Sequence, residues 1–202
     1  MEQTYTHQKS SGERINTKAD LKRWLAVEKE LNLKEMHGSE FYAFITCSKY
    51  YWIWKFIKTL RTSEYHYNAG HKLRYLWYHR KKHKLERKYQ FEISENNIGI
   101  GFRMFHLSGI FISESSDIGK NFIASGDLCI GGDVRYPDGR VVGATIGDNV
   151  MAGWGVTIMG DVHIADDVIL GTDCLVIHDI NEPGAKVCGI PAKIVGNIHD
   201  TK

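Results

Sequence analysis

His106 stands in the run His106-Leu107-Ser108-Gly109-Ile110, where small residues crowd a single imidazole. A neutral imidazole is the usual side chain for taking a proton from an alcohol near pH 7. A solitary histidine is otherwise a packed or surface residue, so the surrounding elements must decide its role. An imidazole base works best with an acceptor on its other nitrogen. Asp127 and Glu92 are the two candidates, and either is equally explained as a solvated corner residue. His163, with Asp161 and Asp166 nearby, has the composition of a metal site. Carboxylates at tight corners explain that group more simply, and no metal is expected. Cys47, Cys129, Cys174 and Cys188 show neither CxxC nor zinc spacing. They read as reduced thiols used as small apolar residues.

The elements that must hold these groups differ along the chain. The 202 residues carry a net charge of +2, which suits one compact unit or two small ones. Disorder, a collagen-like fibre and a disulfide scaffold are excluded. The averages conceal a division near residue 90. Residues 1–90 hold 19 Lys/Arg against 9 Asp/Glu, 16 of the 23 aromatics, 3 glycines and no proline. Residues 91–202 hold 7 Lys/Arg against 15 Asp/Glu and 17 of the 20 glycines. Two regions are therefore expected, 1–90 and 91–202.

The first region is predicted helical. Thr17 and Asp20 make a capping box ahead of Leu21, Trp24, Leu25 and Leu31. Ser39 is placed to cap a second helix carrying Phe41, Phe44, Ile45, Tyr51, Trp52 and Ile57. A third stripe, Leu73, Leu76 and Trp77, runs into residues 80–88, where six of nine are Lys or Arg. No nucleic-acid motif accompanies that run, so it reads as a solvated face or one facing an acidic neighbour. An anionic glycan or cofactor phosphates are further options, and no nucleic acid is expected. The start, MEQTYTHQKS, has no apolar h-region, so no signal peptide and a cytoplasmic location are expected. Residues 41–57 are too short and polar to span a bilayer, which leaves membrane contact at most peripheral.

The second region carries a period of six. Ile146, Ala152, Ile158, Ile164, Leu170 and Val176 recur in frame, with Val150, Val156, Val162, Val168, Cys174 and Ile180 four places later. Before residues 132–145 the same frame holds Ile118, Ala124 and Ile130. This period fits neither a helix nor a hairpin sheet. It fits a solenoid of short strands, three hexads to the coil, with inward aliphatics stacked about 4.8 Å apart. Upstream the frame divides. Counting back from Ile118 gives Ile112 and puts His106 inward. Counting from Ile98 gives Met104 and Ile110 and puts His106 at an outward corner, with two extra residues before Ile118. About one coil separates Asp127 from His106.

The repeat, with Ile98-Gly99-Ile100-Gly101, the His106 run, Ile130-Gly131-Gly132 and the ending 189–196 (GIPAKIVG), resembles the hexapeptide-repeat acyltransferases. Within them the chain is similar to serine acetyltransferases and their relatives in surface-polysaccharide gene clusters, over about residues 17–197. The resemblance implies a mainly β fold, a left-handed parallel β-helix after α-helices. It implies the outward frame, His106 as catalytic base, and direct attack on acetyl-CoA without a covalent enzyme intermediate. Gly131, Gly153, Trp154, Thr172 and Lys193 match cofactor positions in a groove between subunits of a homotrimer. Pairing of trimers into a hexamer through the helices is the further option. Glu92 lies near an aspartate of the family. Trp154 departs from the small residue found there.

The excursion 132–145 is expected to close on substrate, with Asp133, Arg135 and Tyr136 as contacts. Three departures bear on the acceptor. Phe105 replaces the aspartate before the histidine, and Val142 and Gly143 replace an arginine and a histidine that help hold serine. The ending Asp200-Thr201-Lys202 lacks the isoleucine used to dock cysteine synthase, so that partner is not expected. These losses favour a sugar hydroxyl of surface-polysaccharide biosynthesis. A serine O-acetyltransferase, a non-catalytic trimeric scaffold, and a nucleic-acid or membrane binder are the alternatives.

Overall fold

The structure, a computed structural model, describes residues 13–200. The start of the chain and its last two residues, on which the leader and docking expectations rest, lie outside the described residues. Four α-helices come first: α1 (Lys18–Asn32), α2 (Glu40–Ile45), α3 (Lys49–Asn68) and α4 (Lys72–Tyr89). The capping box forms. Thr17 Oγ1 accepts from the Asp20 N–H at 3.1 Å, and Asp20 Oδ2 accepts from the Thr17 N–H at 2.9 Å.

The single helix expected after Ser39 is instead two. Thr46 Oγ1 turns back to the Tyr42 carbonyl at 2.8 Å, Cys47 adopts φ 50°, and Ser48 caps α3. Short polar side chains compete with the helical backbone in this way and favour its ends. The break leaves Phe41, Phe44 and Ile45 exposed on α2, and the α4 stripe of Leu73, Leu76 and Trp77 is exposed too. Among the described residues no helix is long and apolar enough to cross a membrane.

From Phe91 the chain coils through three parallel sheets. One joins Phe91–Ile93, Ile110–Ile112, Leu128–Gly131, Thr157–Met159 and Leu175–Val176. A second runs from Arg103–Met104 through Ile123–Ala124, Met151–Ala152 and Ile169–Leu170 to Ala185–Cys188, where Lys193–Asn197 closes it antiparallel. The third stacks Asp117–Ile118, Thr145–Ile146 and His163–Ile164. Inward residues form columns such as Ile118, Ile146 and Ile164, all at 1% exposure or less.

Corner chemistry explains the Asn and Asp of the repeat. Asn121, Asn149 and Asp167 all take positive φ, and their side chains bond from coil to coil at 2.8 and 2.9 Å. Short polar side chains tolerate this left-handed backbone, and here they also satisfy one another. Gly147 sits where a Cβ would lie 2.8 Å from the Asp166 nitrogen, so the coil spacing demands glycine there.

Both upstream frames are half right. Ile98 bridges Ile118 and Met104 pairs with Ala124, as in the outward frame. Ile112, not Ile110, then takes the slot paired with Ile130. The two extra residues therefore lie between Met104 and Ile112, at the His106 corner, and not before Ile118.

The helices are keyed to the first coil by a buried ionic cluster. Arg61, fully buried, donates to Glu28 at 2.8 Å, to Glu64 at 3.0 Å and to the carbonyls of Ile98 and Gly99 at 2.9 Å. Burial opposes its charge, but Glu28 and Glu64 more than offset that and hold it protonated. Glu28 also accepts from the N–H groups of Gly101 and Phe102. Lys82, inside the basic run, is buried with its ammonium 2.7 Å from the Ile93 carbonyl and 3.3 Å from Glu95. That lysine faces the acidic half. Leu33, Ile53 and Phe56 share one apolar core with the β-helix.

Candidate active site

His106 heads one corner of the coil. The Phe105 N–H bonds to the Ala124 carbonyl, Ser125 to Ala152, Gly153 to Leu170 and Gly171 to Val187. These links stack the turns at 106, 126–127, 154 and 172 in one column, with Lys193 paired to Cys188 at its far end. At about 4.8 Å per strand, the five steps to Lys193 run roughly 24 Å from the imidazole. The column brings together His106, Gly153, Trp154, Thr172 and Lys193, which the sequence separates widely.

The imidazole is exposed, as the outward frame requires. The Trp154 ring meets it edge-on, with centroids 5.1 Å apart. Trp154 thus stands against the imidazole as well as in the corner column. Lys49 Nζ lies 3.4 Å from His106 Nδ1. Partial desolvation, then the nearby ammonium, hold the imidazole below its ordinary pKa. The imidazole is thereby favoured in its neutral form at pH 7, with the ammonium standing at one of its two nitrogens.

Neither candidate carboxylate occupies Nδ1, where Lys49 stands. Asp127 is in the next turn of the column, at φ 45°, with its N–H donating to Ser108 Oγ at 3.1 Å. Glu92 points outward between the buried Phe91 and Ile93. Both carboxylates line an open cleft of about 770 Å³ beneath the end of α4, with Gly109, Phe111 and Arg87. Phe105 carries the Arg103 guanidinium 4.4 Å above its ring, and Arg103 also reaches Glu35 at 3.6 Å.

Other expected site residues stand apart. Gly131 ends a strand at the next corner, where a Cβ would meet the Phe111 ring at 3.0 Å. The excursion leaves from that same end as a ribbon of Val134–Arg135 against Val141–Val142. Asp133 accepts from Ser113 Oγ at 2.7 Å, and the Tyr136 hydroxyl donates to Asp161 at 2.7 Å. Arg135 is exposed. Within one chain the ribbon and His106 therefore lie at opposite ends of the same sheet's strands. A Cβ on Gly143 would lie 3.1 Å from backbone atoms of Ser115 and Ser116, so this coil excludes a larger side chain there. Among the described residues no group of three His, Cys, Asp or Glu is arranged to hold a metal.

Lys49 is the site residue that sequence reasoning missed. Its one signal was a charge interrupting an apolar stretch.

No protein-family model matches the chain. The serine acetyltransferase of Mycobacterium tuberculosis is 29% identical over 104 residues, 48% of this chain and 42% of that protein. A probable serine acetyltransferase of Oryza sativa is 34% identical over 102 residues, 49% of this chain and 32% of that protein. The crystal structure of the Neisseria gonorrhoeae serine acetyltransferase superposes with a TM-score of 0.68 at 19% identity, covering 91% of this chain and 67% of that one. A serine acetyltransferase in complex with CoA gives 0.68 at 19%, covering 88% and 71%. The chain has the serine acetyltransferase fold. Its coil is the left-handed parallel β-helix of hexapeptide-repeat acetyltransferases, preceded by helices. It spans about half the length of the first curated relatives it matches, 42% and 56%.

Proposed function

We propose that the chain is an acetyl-CoA-dependent O-acetyltransferase with His106 as general base. The corner column carries this reading, because it sets one neutral imidazole at the head of a row of exposed corner residues. The length of that row suits an extended thioester. Thr172 and Lys193 are exposed along it, and Lys193 offers an ammonium to a phosphate. Acetyl-CoA, bound there, supplies an activated acetyl group. His106 takes the proton from the acceptor hydroxyl as the new C–O bond forms and the C–S bond breaks. His106 then returns that proton to the departing sulfur.

L-Serine is the acceptor that the comparisons favour, since the relatives of similar sequence are named serine acetyltransferases. One observation supports a sugar hydroxyl as the second reading. Val142 and the closely packed Gly143 place no arginine or histidine at those two positions. Surface-polysaccharide biosynthesis rests on this second reading alone. We place the reaction in the cytoplasm, in keeping with four free thiols, and in a homotrimer or a hexamer built from two.

Release of free CoA from acetyl-CoA, with L-serine and with a panel of sugars, tests the assignment. Turnover with serine alone would sink the sugar reading. Turnover with sugars alone would sink the serine one. No turnover with any acceptor, together with no CoA binding, would leave a scaffold.

A further inference from the structure

The cation beside His106 is chemically out of place for a base acting alone. Lys49 begins α3, 57 residues away, and reaches across from the helices to Nδ1. An ammonium there donates to the ring and leaves the remaining proton on Nε2. Neither nitrogen then presents a free lone pair. The other cation at this corner, Arg103, is already engaged with Glu35 and with the Phe105 ring. Lys49 lies 5.1 Å over the Tyr50 ring but, among the described residues, makes no ion pair. It is half-buried, beside the exposed imidazole.

A half-buried ammonium with no carboxylate partner among the described residues is open to the anion of a ligand. The coil that carries Val142 and Gly143 offers no cation of its own at those positions. We infer that Lys49 recognises a carboxylate carried by the acceptor close to its reacting hydroxyl. The acceptor class is a hydroxy-carboxylate, either a β-hydroxy amino acid such as serine or an acidic sugar. The carboxylate draws Nζ away from Nδ1, and the freed lone pair makes the imidazole a base only when an acceptor is present. This inference rests on the acetyltransferase reading.

Four acceptors in two matched pairs test it: L-serine against ethanolamine, and galacturonate against galactose. Each pair differs in the carboxylate. CoA release is followed for the wild type, Lys49→Met and Lys49→Arg, with CoA affinity measured calorimetrically as a control on the intact groove. For whichever acid is used, Lys49→Met should raise KM by about 10-fold or more while kcat falls less. Lys49→Arg should restore most of that loss, and Lys49→Met should raise turnover of the matched neutral acceptor, because no ammonium then occupies Nδ1. Equal losses on acid and neutral acceptors, or no loss, would overturn the inference while leaving the acetyltransferase reading standing. A wild type that binds no CoA and turns over no acceptor would remove both. The serine and galacturonate arms identify which carboxylate is used.

Discussion

An imidazole can act as a base only from the nitrogen that lacks a proton, so its neighbours decide its usefulness more than its presence does. Replacing His106 with alanine should lower turnover by at least about 100-fold, the usual size of a general-base effect, with an unchanged circular dichroism spectrum. An unaffected rate would take His106 out of the mechanism. Desolvation and Lys49 both depress its pKa. The neutral form therefore persists to lower pH than for a free histidine, and the acid limb of kcat/KM should fall below about 6.5. In Lys49→Met that limb should move upward, because one of the two depressing causes is gone. A limb that stays in place would show that the ammonium does not act on His106 in solution. His106 was legible in the sequence through the small residues that follow it. Lys49 was not, because its contact joins two regions whose relative placement no local pattern records.

The elements are held by two kinds of order, and only one of them is periodic. The hexad columns were legible because every coil repeats the same requirement, an inward aliphatic and a corner that tolerates positive φ. Even the position of the two extra residues was bracketed by the two competing frames. The break between α2 and α3 was missed because the apolar pattern runs through it, while Thr46 and Ser48 act on the backbone. The Arg61 cluster was illegible for another reason. Glu28, Arg61, Glu64 and the carbonyls of Ile98 and Gly99 come from separate elements, and charged residues on helices ordinarily face water. Removing the guanidinium strands two buried carboxylates. Arg61→Met should therefore cost about 3–5 kcal/mol in urea unfolding. The exposed pair Lys58–Glu40, at 3.4 Å, is the matched control, and Lys58→Ala should cost no more than about 1 kcal/mol. Similar costs for both would mean that the cluster does not fasten the helices to the coil.

At the scale of the whole molecule, the basic helical half and the acidic coil are complementary within one chain, as the buried Lys82 beside Glu95 illustrates. What the single chain does not do is bring its excursion to its own His106. The ribbon leaves after Gly131 and Gly132, at the far end of the strand that follows the Asp127 corner. Asp133 and Tyr136 are tied to Ser113 and Asp161 on the coils before and after their own, so a swing toward His106 would break both bonds. A second copy packed flank to flank can instead set its ribbon beside the first copy's His106 corner, and rotational closure makes three such contacts in a trimer. Light scattering should then give the mass of three or six chains. A sharper test mixes two inactive variants. A His106→Ala chain supplies an intact ribbon, and a chain with residues 134–142 replaced by a short glycine linker supplies an intact base. Co-expressed and co-purified, they should regain turnover that neither shows alone, because some shared sites then receive one good half from each. A single-chain mass, or a mixture as inactive as its parents, would confine the ribbon to a structural role on its own coil.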